Sequence, residues 1–121
     1  FFNYLIVEYQ RKFYVKERTG KDIWQNLYEF ILIEASSLTN ENTFLNSESF
    51  LNTFETSEFV VLKISENYSQ KLTHQRIYGR FFHVKVSQPI KESGKYLLRS
   101  KAELITLAFP KFITSYLAQK N

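Results

Sequence analysis

The sequence predicts an α+β fold, in which a β-sheet is covered by helices. Three observations predict it: apolar runs of strand length recur along the chain, amphipathic stretches have helical spacing, and the two types do not alternate strictly. The 121 residues suit one domain over residues 1–121, and a hydrophobic content of 44% is enough for a packed core.

The first part of the chain contains three predicted strands. Residues 4–9 are almost continuously apolar, as in a strand that is buried on both faces. Residues 13–15 resume the run after a polar break, which indicates a hairpin. Residues 18–22 form a polar loop, and residues 27–34 form the next strand. Residues 35–47 are rich in Ser, Thr and Asn and predict a second loop.

A helix and another strand follow. Residues 47–58 are predicted to be helical because Phe50, Leu51 and Phe54 fall on one face. Residues 59–64 are β-branched and apolar, which is typical of a strand.

Residues 68–72 and 77–86 form two further predicted strands. The second is the longest, and its apolar alternation changes phase near Gly79, which predicts a β-bulge there.

The last elements carry clear end signals. Residues 96–99 form a short strand, and Ser100 with Glu103 has the form of a capping box that opens a short helix. Pro110 suits the first turn of a final helix. The apolar face of that helix consists of Phe112, Ile113, Tyr116 and Leu117.

The net charge of +4 is distributed unevenly. Residues 34–67 contain six acidic side chains and one basic one, whereas residues 68–121 contain ten Lys or Arg and two Glu. A basic half of this kind is typical of a surface that faces nucleic acid, and the alternative is ordinary scatter of surface charge.

Several kinds of chemistry are excluded by composition. The chain has no Cys, so it holds no disulfide, iron–sulfur cluster or thiol nucleophile. It has two His and no Gly-rich phosphate loop, which disfavours a metal site or a nucleotide cradle. No apolar run reaches the roughly 20 residues of a membrane span. Because it also lacks Met, we expect Phe1 to follow upstream residues in a longer protein.

Three segments stand in a characteristic order: RTGKDIWQNLYEF at 18–30, KLTHQ at 71–75 and LAFP at 107–110, the last followed by Tyr116 and Leu117. In order and approximate spacing they resemble the C-terminal domain of MutY-type adenine DNA glycosylases. The first resembles the segment that enters a central strand, the second the Phe-Ser-His loop that faces the lesion base, and the third the closing turn and last helix.

The resemblance implies a Nudix-like mixed β-sheet flanked by helices, an α/β/α sandwich. It implies a non-catalytic domain without cofactor that binds double-stranded DNA carrying 8-oxoguanine opposite adenine. A separate N-terminal catalytic domain of the same protein would excise adenine and carry the 4Fe-4S cluster. The implied setting is base-excision repair in the bacterial cytoplasm, with no membrane partner.

The resemblance places the lesion contact in the loop after residue 70. Leu72 and Thr73 stand where the family has Phe and Ser, so the apolar group and the hydroxyl are kept but the ring is lost. Hydroxyl, imidazole and amide groups can read base edges, and Lys or Arg can bind phosphates. The predicted DNA contacts are Lys71, Leu72, Thr73, His74, Gln75, Arg76 and Arg80.

Each of these interpretations has a structural alternative. His74 could be a strand-end residue that is bonded to the backbone, and Trp24 could stack on a base or pack in the core. Arg76 and Arg80 fall on one face of a strand, where they either contact phosphates or form an exposed cationic edge. Two departures from the family affect loop shape: Asp22 replaces a Gly, and Ile31 replaces a Pro.

Two other functions stay open. A Nudix hydrolase needs the box Gly-x5-Glu-x7-Arg-Glu-x-x-Glu-Glu, whose carboxylates hold divalent cations. Here no Arg is followed by Glu and no two Glu are adjacent, which argues against that activity. The other possibility is a protein-interaction module without a nucleic-acid role.

Overall fold

The computed structural model describes residues 1–20, 24–55 and 58–119. The eight strands within these residues form one mixed sheet. The strands are β1 (Phe2–Tyr9), β2 (Lys12–Glu17), β3 (Tyr28–Glu29), β4 (Ile31–Glu34), β5 (Phe59–Ile64), β6 (Tyr68–Lys71), β7 (Arg76–Val86) and β8 (Leu97–Ser100). The helices are α1 (Glu41–Leu45), α2 (Glu48–Leu51), α3 (Lys101–Leu104) and α4 (Lys111–Gln119), with a 3-10 turn at Ser93–Lys95. This arrangement confirms the predicted α+β fold.

Two central strands organise the sheet. The main path runs β3-β2-β1-β7-β5, with β4 on β1, β6 on β7 and β8 on β2. Strands β1 and β7 are parallel and stay in register from Phe2 opposite Gly79 to Tyr9 opposite Val86, and the other pairings are antiparallel. Parallel central strands need cover on both faces, which explains why residues 4–9 are apolar without alternation.

The predicted hairpin of β1 and β2 is confirmed. Its turn residues Gln10 and Arg11 have φ values of 52° and 65°, the left-handed region that a tight two-residue hairpin turn requires. The two strands pair only near this turn; further along, β3 pairs with β2 and β4 with β1. The single strand predicted over 27–34 is therefore two strands, because the chain changes partner at Phe30.

Side chains of β1 alternate between two cores. Leu5 and Val7 point to the side covered by α1 and α2, whereas Tyr4 and Ile6 point to the side covered by α4. We call these sides the α1–α2 face and the α4 face. Helices on both faces of one sheet agree with the expected sandwich.

The segment between β4 and β5 differs from its prediction. Helix α1 lies inside the predicted loop 35–47, where Asn40 Oδ1 accepts a hydrogen bond from Thr43 N–H at 2.7 Å. Ser47 caps α2 in the same way, but α2 ends at Leu51 instead of continuing towards residue 58. The polar residues that suggested a loop are helix caps, and Leu51 is 42% exposed instead of sharing the buried face of Phe50.

The predicted bulge at Gly79 is wrong. Strand β7 keeps its register against β1 and β6 through Gly79, and the irregularity lies on β5 between Val61 and Lys63. Gly79 is required for close packing, because a Cβ there would lie 2.4 Å from the carbonyl oxygen of Phe2. The apolar pattern of β7 changes phase because residues 79–84 are buried on both faces.

The C-terminal predictions are confirmed. Ser100 and Glu103 form the reciprocal capping box of α3, and α4 buries Phe112, Ile113 and Tyr116. Loop residues 21–23, including Asp22, and residues 56–57 of the predicted helix lie outside the described part. Among the described helices, none has the length and apolar character needed to cross a bilayer.

Candidate nucleic-acid interface

The predicted recognition segment forms the end of a hairpin. Strands β6 and β7 pair from Tyr68 opposite Gly79 to Lys71 opposite Arg76. The turn is closed by the Leu72 N–H, which donates to the carbonyl oxygen of Gln75 at 2.6 Å. The closure leaves Thr73 and His74, which sequence reasoning proposed as base-reading groups, at the point where the chain reverses.

The structure brings six of the seven predicted contacts together at this hairpin tip, residues 71–76. The side chains of Thr73, His74 and Gln75 are exposed, as are the flanking Lys71 and Arg76, whereas Leu72 is half-buried. A hydroxyl, an imidazole and an amide therefore project between two cations.

The base of the hairpin is held by α4. The Tyr68 hydroxyl donates to Gln119 Oε1 at 2.8 Å, and the Tyr68 ring meets that of Tyr116 edge-on with centroids 5.4 Å apart. Tyr116 also stacks on Phe81 at 4.1 Å and places its hydroxyl 2.7 Å from His83 Nε2. Burial raises the pKa of Tyr116 to about 12, so this support stays uncharged across the working pH range.

One side of the hairpin carries both cations and an aromatic ring. Directly paired residues share a face, which groups Lys71 with Arg76 and Ser69 with Tyr78 on the α1–α2 side of the sheet. Arg76 Nη1 donates to Ser69 Oγ at 3.2 Å, and the Tyr78 side chain is 52% exposed. We call these four residues the outer hairpin face. Tyr78 is not among the contacts predicted from the sequence, although residues two apart on a strand share a face, which places Tyr78 beside Arg76.

Arg80 lies on the same side but is buried. It is only 4% exposed, its Nε donates to Asn3 Oδ1 at 3.2 Å, and its guanidinium lies 5.0 Å from the ring centroid of Phe82. The expectation of an exposed cation here is wrong, because aromatic rings from three separate segments cover it: Phe1, Phe44 and Phe82. Burial lowers the pKa of Arg80, and nearby Glu41 partly opposes that shift.

A cleft of about 670 Å³ adjoins Arg80. Its wall includes the acidic residues Glu41 and Glu66 together with Asn40 and Asn67. Within the described part of the chain, Arg80 Nη2 is buried without a hydrogen-bond partner. The lining of the cleft therefore offers carboxylate and amide oxygens, whereas Arg80 Nη2 is buried from solvent.

The residues of the first motif are structural. Trp24 is 6% exposed and packs in the core of the α4 face, which decides between its two interpretations. The Arg18 guanidinium lies 5.5 Å from the Trp24 ring, and its Nη1 donates to Glu29 Oε1 at 2.8 Å. Tyr4 donates to the same carboxylate oxygen at 3.2 Å. This buried network anchors the loop after β2 to β3.

The basic half of the sequence does not form one surface. Lys71 and Arg76 lie at the first end of β7, whereas Lys85 lies at the other, about 30 Å away by strand rise. Near that second end, Lys12 pairs with Ser100 and Phe13 with Arg99, which adds further cations from the first hairpin and β8. Only one of the two basic ends contains the hairpin tip.

Comparison with known protein families adds the identity of the fold. Over residues 3–119 the sequence matches the family described as the NUDIX domain. The chain belongs to the NUDIX domain family. No curated protein matches this NUDIX domain. Together with the mixed sheet and its flanking helices, the match confirms the Nudix-like fold implied by the resemblance.

The described residues of this NUDIX domain do not fit a divalent-cation centre. In residues 1–20, 24–55 and 58–119, no three His, Cys, Asp or Glu side chains come together as a metal-binding group. Glu41 and Glu48 belong to two different short helices, and the sequence has no Arg-Glu pair.

Proposed function

We propose that this NUDIX domain is the lesion-recognition domain of a MutY-type adenine DNA glycosylase. It binds duplex DNA that carries 8-oxoguanine opposite adenine and does no chemistry itself. The observation that carries the proposal is the hairpin tip, where Thr73 and His74 are exposed between Lys71 and Arg76. The three-segment resemblance to that family supports the finer assignment, and the NUDIX match supports the fold it requires.

Different residues of the hairpin tip provide affinity for DNA and discrimination between the lesion and guanine. Lys71 and Arg76 bind phosphates, which supply most of the affinity but carry no sequence information. Thr73 and His74 approach the base edge. The lesion differs from guanine by a C8 oxygen and an N7 hydrogen, so a hydroxyl or imidazole acceptor near N7 favours it by about 1–3 kcal/mol. Leu72, half-buried at the turn, adds an apolar contact.

In this proposal, excision belongs to another part of the protein. An N-terminal catalytic domain with a 4Fe-4S cluster flips and removes adenine, while this domain holds the opposite strand. Thr73 and His74 contact the damaged base, Leu72 and Gln75 contact its neighbours, and the contacts between Tyr68 and α4 keep the tip in place during recognition.

The test is a double substitution, Thr73→Ala with His74→Ala, in the full-length protein. Single-turnover adenine excision and binding are measured on duplexes with 8-oxoguanine or guanine opposite adenine. The preference for 8-oxoguanine should fall by about tenfold or more, while excision from the undamaged mismatch changes much less. Ser87→Ala with Gln88→Ala, exposed at the other end of β7, is the matched control. An unchanged preference in a folded double variant refutes the proposal.

A protein-interaction module is the second candidate, and one observation favours it. Strand β5 ends the path of the described sheet, and its Val60 and Leu62 side chains are 59% and 56% exposed. Apolar side chains on a sheet edge are suited to pairing with another chain. Salt-insensitive binding to a protein partner, with no affinity for DNA, would select this candidate over the first.

A further inference from the structure

We infer that the outer hairpin face is a binding site for unpaired, single-stranded nucleic acid. In this site Tyr78 stacks on a base, while Lys71 and Arg76 bind the backbone phosphates. This site shares Lys71 and Arg76 with the proposed duplex contact, but it adds Tyr78 and gives no role to Thr73 and His74.

The first argument is the exposure of Tyr78. Among the residues that the structure describes, Tyr78 is the only exposed aromatic residue; Phe1 is half-buried against Arg80, and the others lie in or against the two cores. An aromatic ring left in water on a flat strand surface offers a face for stacking. In a duplex the bases are already stacked on one another, so only an unpaired base can use that face.

The second argument is the surrounding charge. Register places Lys71 and Arg76 on the same side as Tyr78, and the bond from Arg76 to Ser69 holds the guanidinium over β6. Single-strand binding proteins combine such cations, which follow the phosphates, with aromatic side chains that receive the bases. Here Arg76 is two residues from Tyr78 along β7, and Lys71 of β6 pairs with Arg76.

The third argument is the cleft that adjoins the inner end of this face. Arg80, two residues or about 7 Å beyond Tyr78, is one of the residues that line it. Glu41 and Glu66 on the wall repel phosphate, so the backbone stays beside Lys71 and Arg76. The charges therefore keep the phosphates on the outer hairpin face and away from the cleft.

The experiment measures binding of the purified chain to a fluorescent oligothymidylate of about ten nucleotides, which is unpaired. Tyr78→Leu removes the ring but keeps an apolar side chain, and Tyr78→Phe keeps the ring. Tyr78→Leu should weaken binding about tenfold, whereas Tyr78→Phe should stay within about twofold. Leu97→Ala is the control, since Leu97 is 42% exposed outside this face. Circular dichroism confirms folding of each variant.

A second pair of variants tests the charges. Arg76→Ala should weaken oligothymidylate binding and reduce its salt dependence, while Arg99→Ala, near the opposite end of the sheet, should leave both nearly unchanged. Absence of oligothymidylate binding, as expected if a protein occupies this face, overturns the inference. So does wild-type affinity in folded Tyr78→Leu.

The two proposals fail separately. Oligothymidylate binding through Tyr78 without any lesion preference refutes the proposed function and leaves this inference standing. If instead lesion preference depends on Thr73 and His74 but the chain does not bind oligothymidylate, the proposed function stands and this inference is refuted.

Discussion

Single side chains at the hairpin tip differ in what they can contribute. Thr73 and His74 lie in the turn between β6 and β7 and are exposed to solvent, whereas Arg76 is the first residue of β7 and is bonded to Ser69. A guanidinium in that position reaches a phosphate more readily than a base edge. We therefore assign affinity to Arg76 and discrimination to the two tip residues.

This assignment predicts the effect of Arg76→Ala. Binding to lesion and undamaged duplexes should weaken by the same factor, because phosphate contacts carry no base information. The slope of log K against log salt should become shallower by about one. Fluorescence anisotropy over a salt series measures both quantities, with Arg99→Ala as the matched control. A loss confined to the lesion duplex would mean that Arg76 reads the base.

The tip could be predicted from sequence, but the environment of Arg80 could not. A short polar run between two strand patterns indicates an exposed turn, and the structure has Thr73 and His74 exposed in such a turn. An Arg within a strand is ordinarily exposed, since burying an unpaired cation is costly. Here Phe1, Phe44 and Phe82 enclose it, and only the folded chain brings those three together.

At the scale of elements, the contact between β1, β7 and α4 positions the hairpin. Gly79 is the point where all three meet: a Cβ there would lie 2.4 Å from the Phe2 carbonyl oxygen and 2.9 Å from the Phe112 ring. The Phe2 carbonyl oxygen belongs to the backbone of the central sheet, so it cannot easily move away from an added Cβ. The base of the hairpin therefore depends on the absence of a side chain.

Gly79→Ala should accordingly lower the free energy of unfolding by about 1–3 kcal/mol, the range of overpacking in a tight core. Gly94→Ala is the control, because a Cβ at Gly94 meets nothing within 4 Å; it should change stability by less than about 0.5 kcal/mol. Urea denaturation measures both. Equal stability of the two variants would show that β1 and β7 can separate without cost.

The elements missed from sequence share a physical cause. The Asn and Ser residues at 40 and 47 have low helix propensity, yet at N-caps they stabilise short helices that bury Phe44 and Phe50. The break between β3 and β4 at Phe30 cannot be predicted from the sequence either, because the chain keeps the same apolar composition where it changes its pairing partner. Local pattern identifies strand-forming segments, whereas pairing depends on tertiary contacts.

Across the whole molecule, the charge asymmetry of the sequence becomes two basic ends separated by the length of β7. The end that carries the hairpin tip is the one we assign to DNA. At the opposite end, Arg99 and Lys85 lie on the α4 face and Lys12 lies on the α1–α2 face, and these cations could bind a duplex by charge alone. The central claim is therefore a claim about which end of the sheet meets the lesion.

The most direct test is a nuclear magnetic resonance titration of the isotope-labelled chain with two duplexes, containing 8-oxoguanine or guanine opposite adenine. We predict that amide shifts are largest at residues 71–76, and that Thr73 and His74 respond differently to the two duplexes. Shifts centred on Lys12 and Arg99, or identical shifts at the tip with both duplexes, would contradict the account.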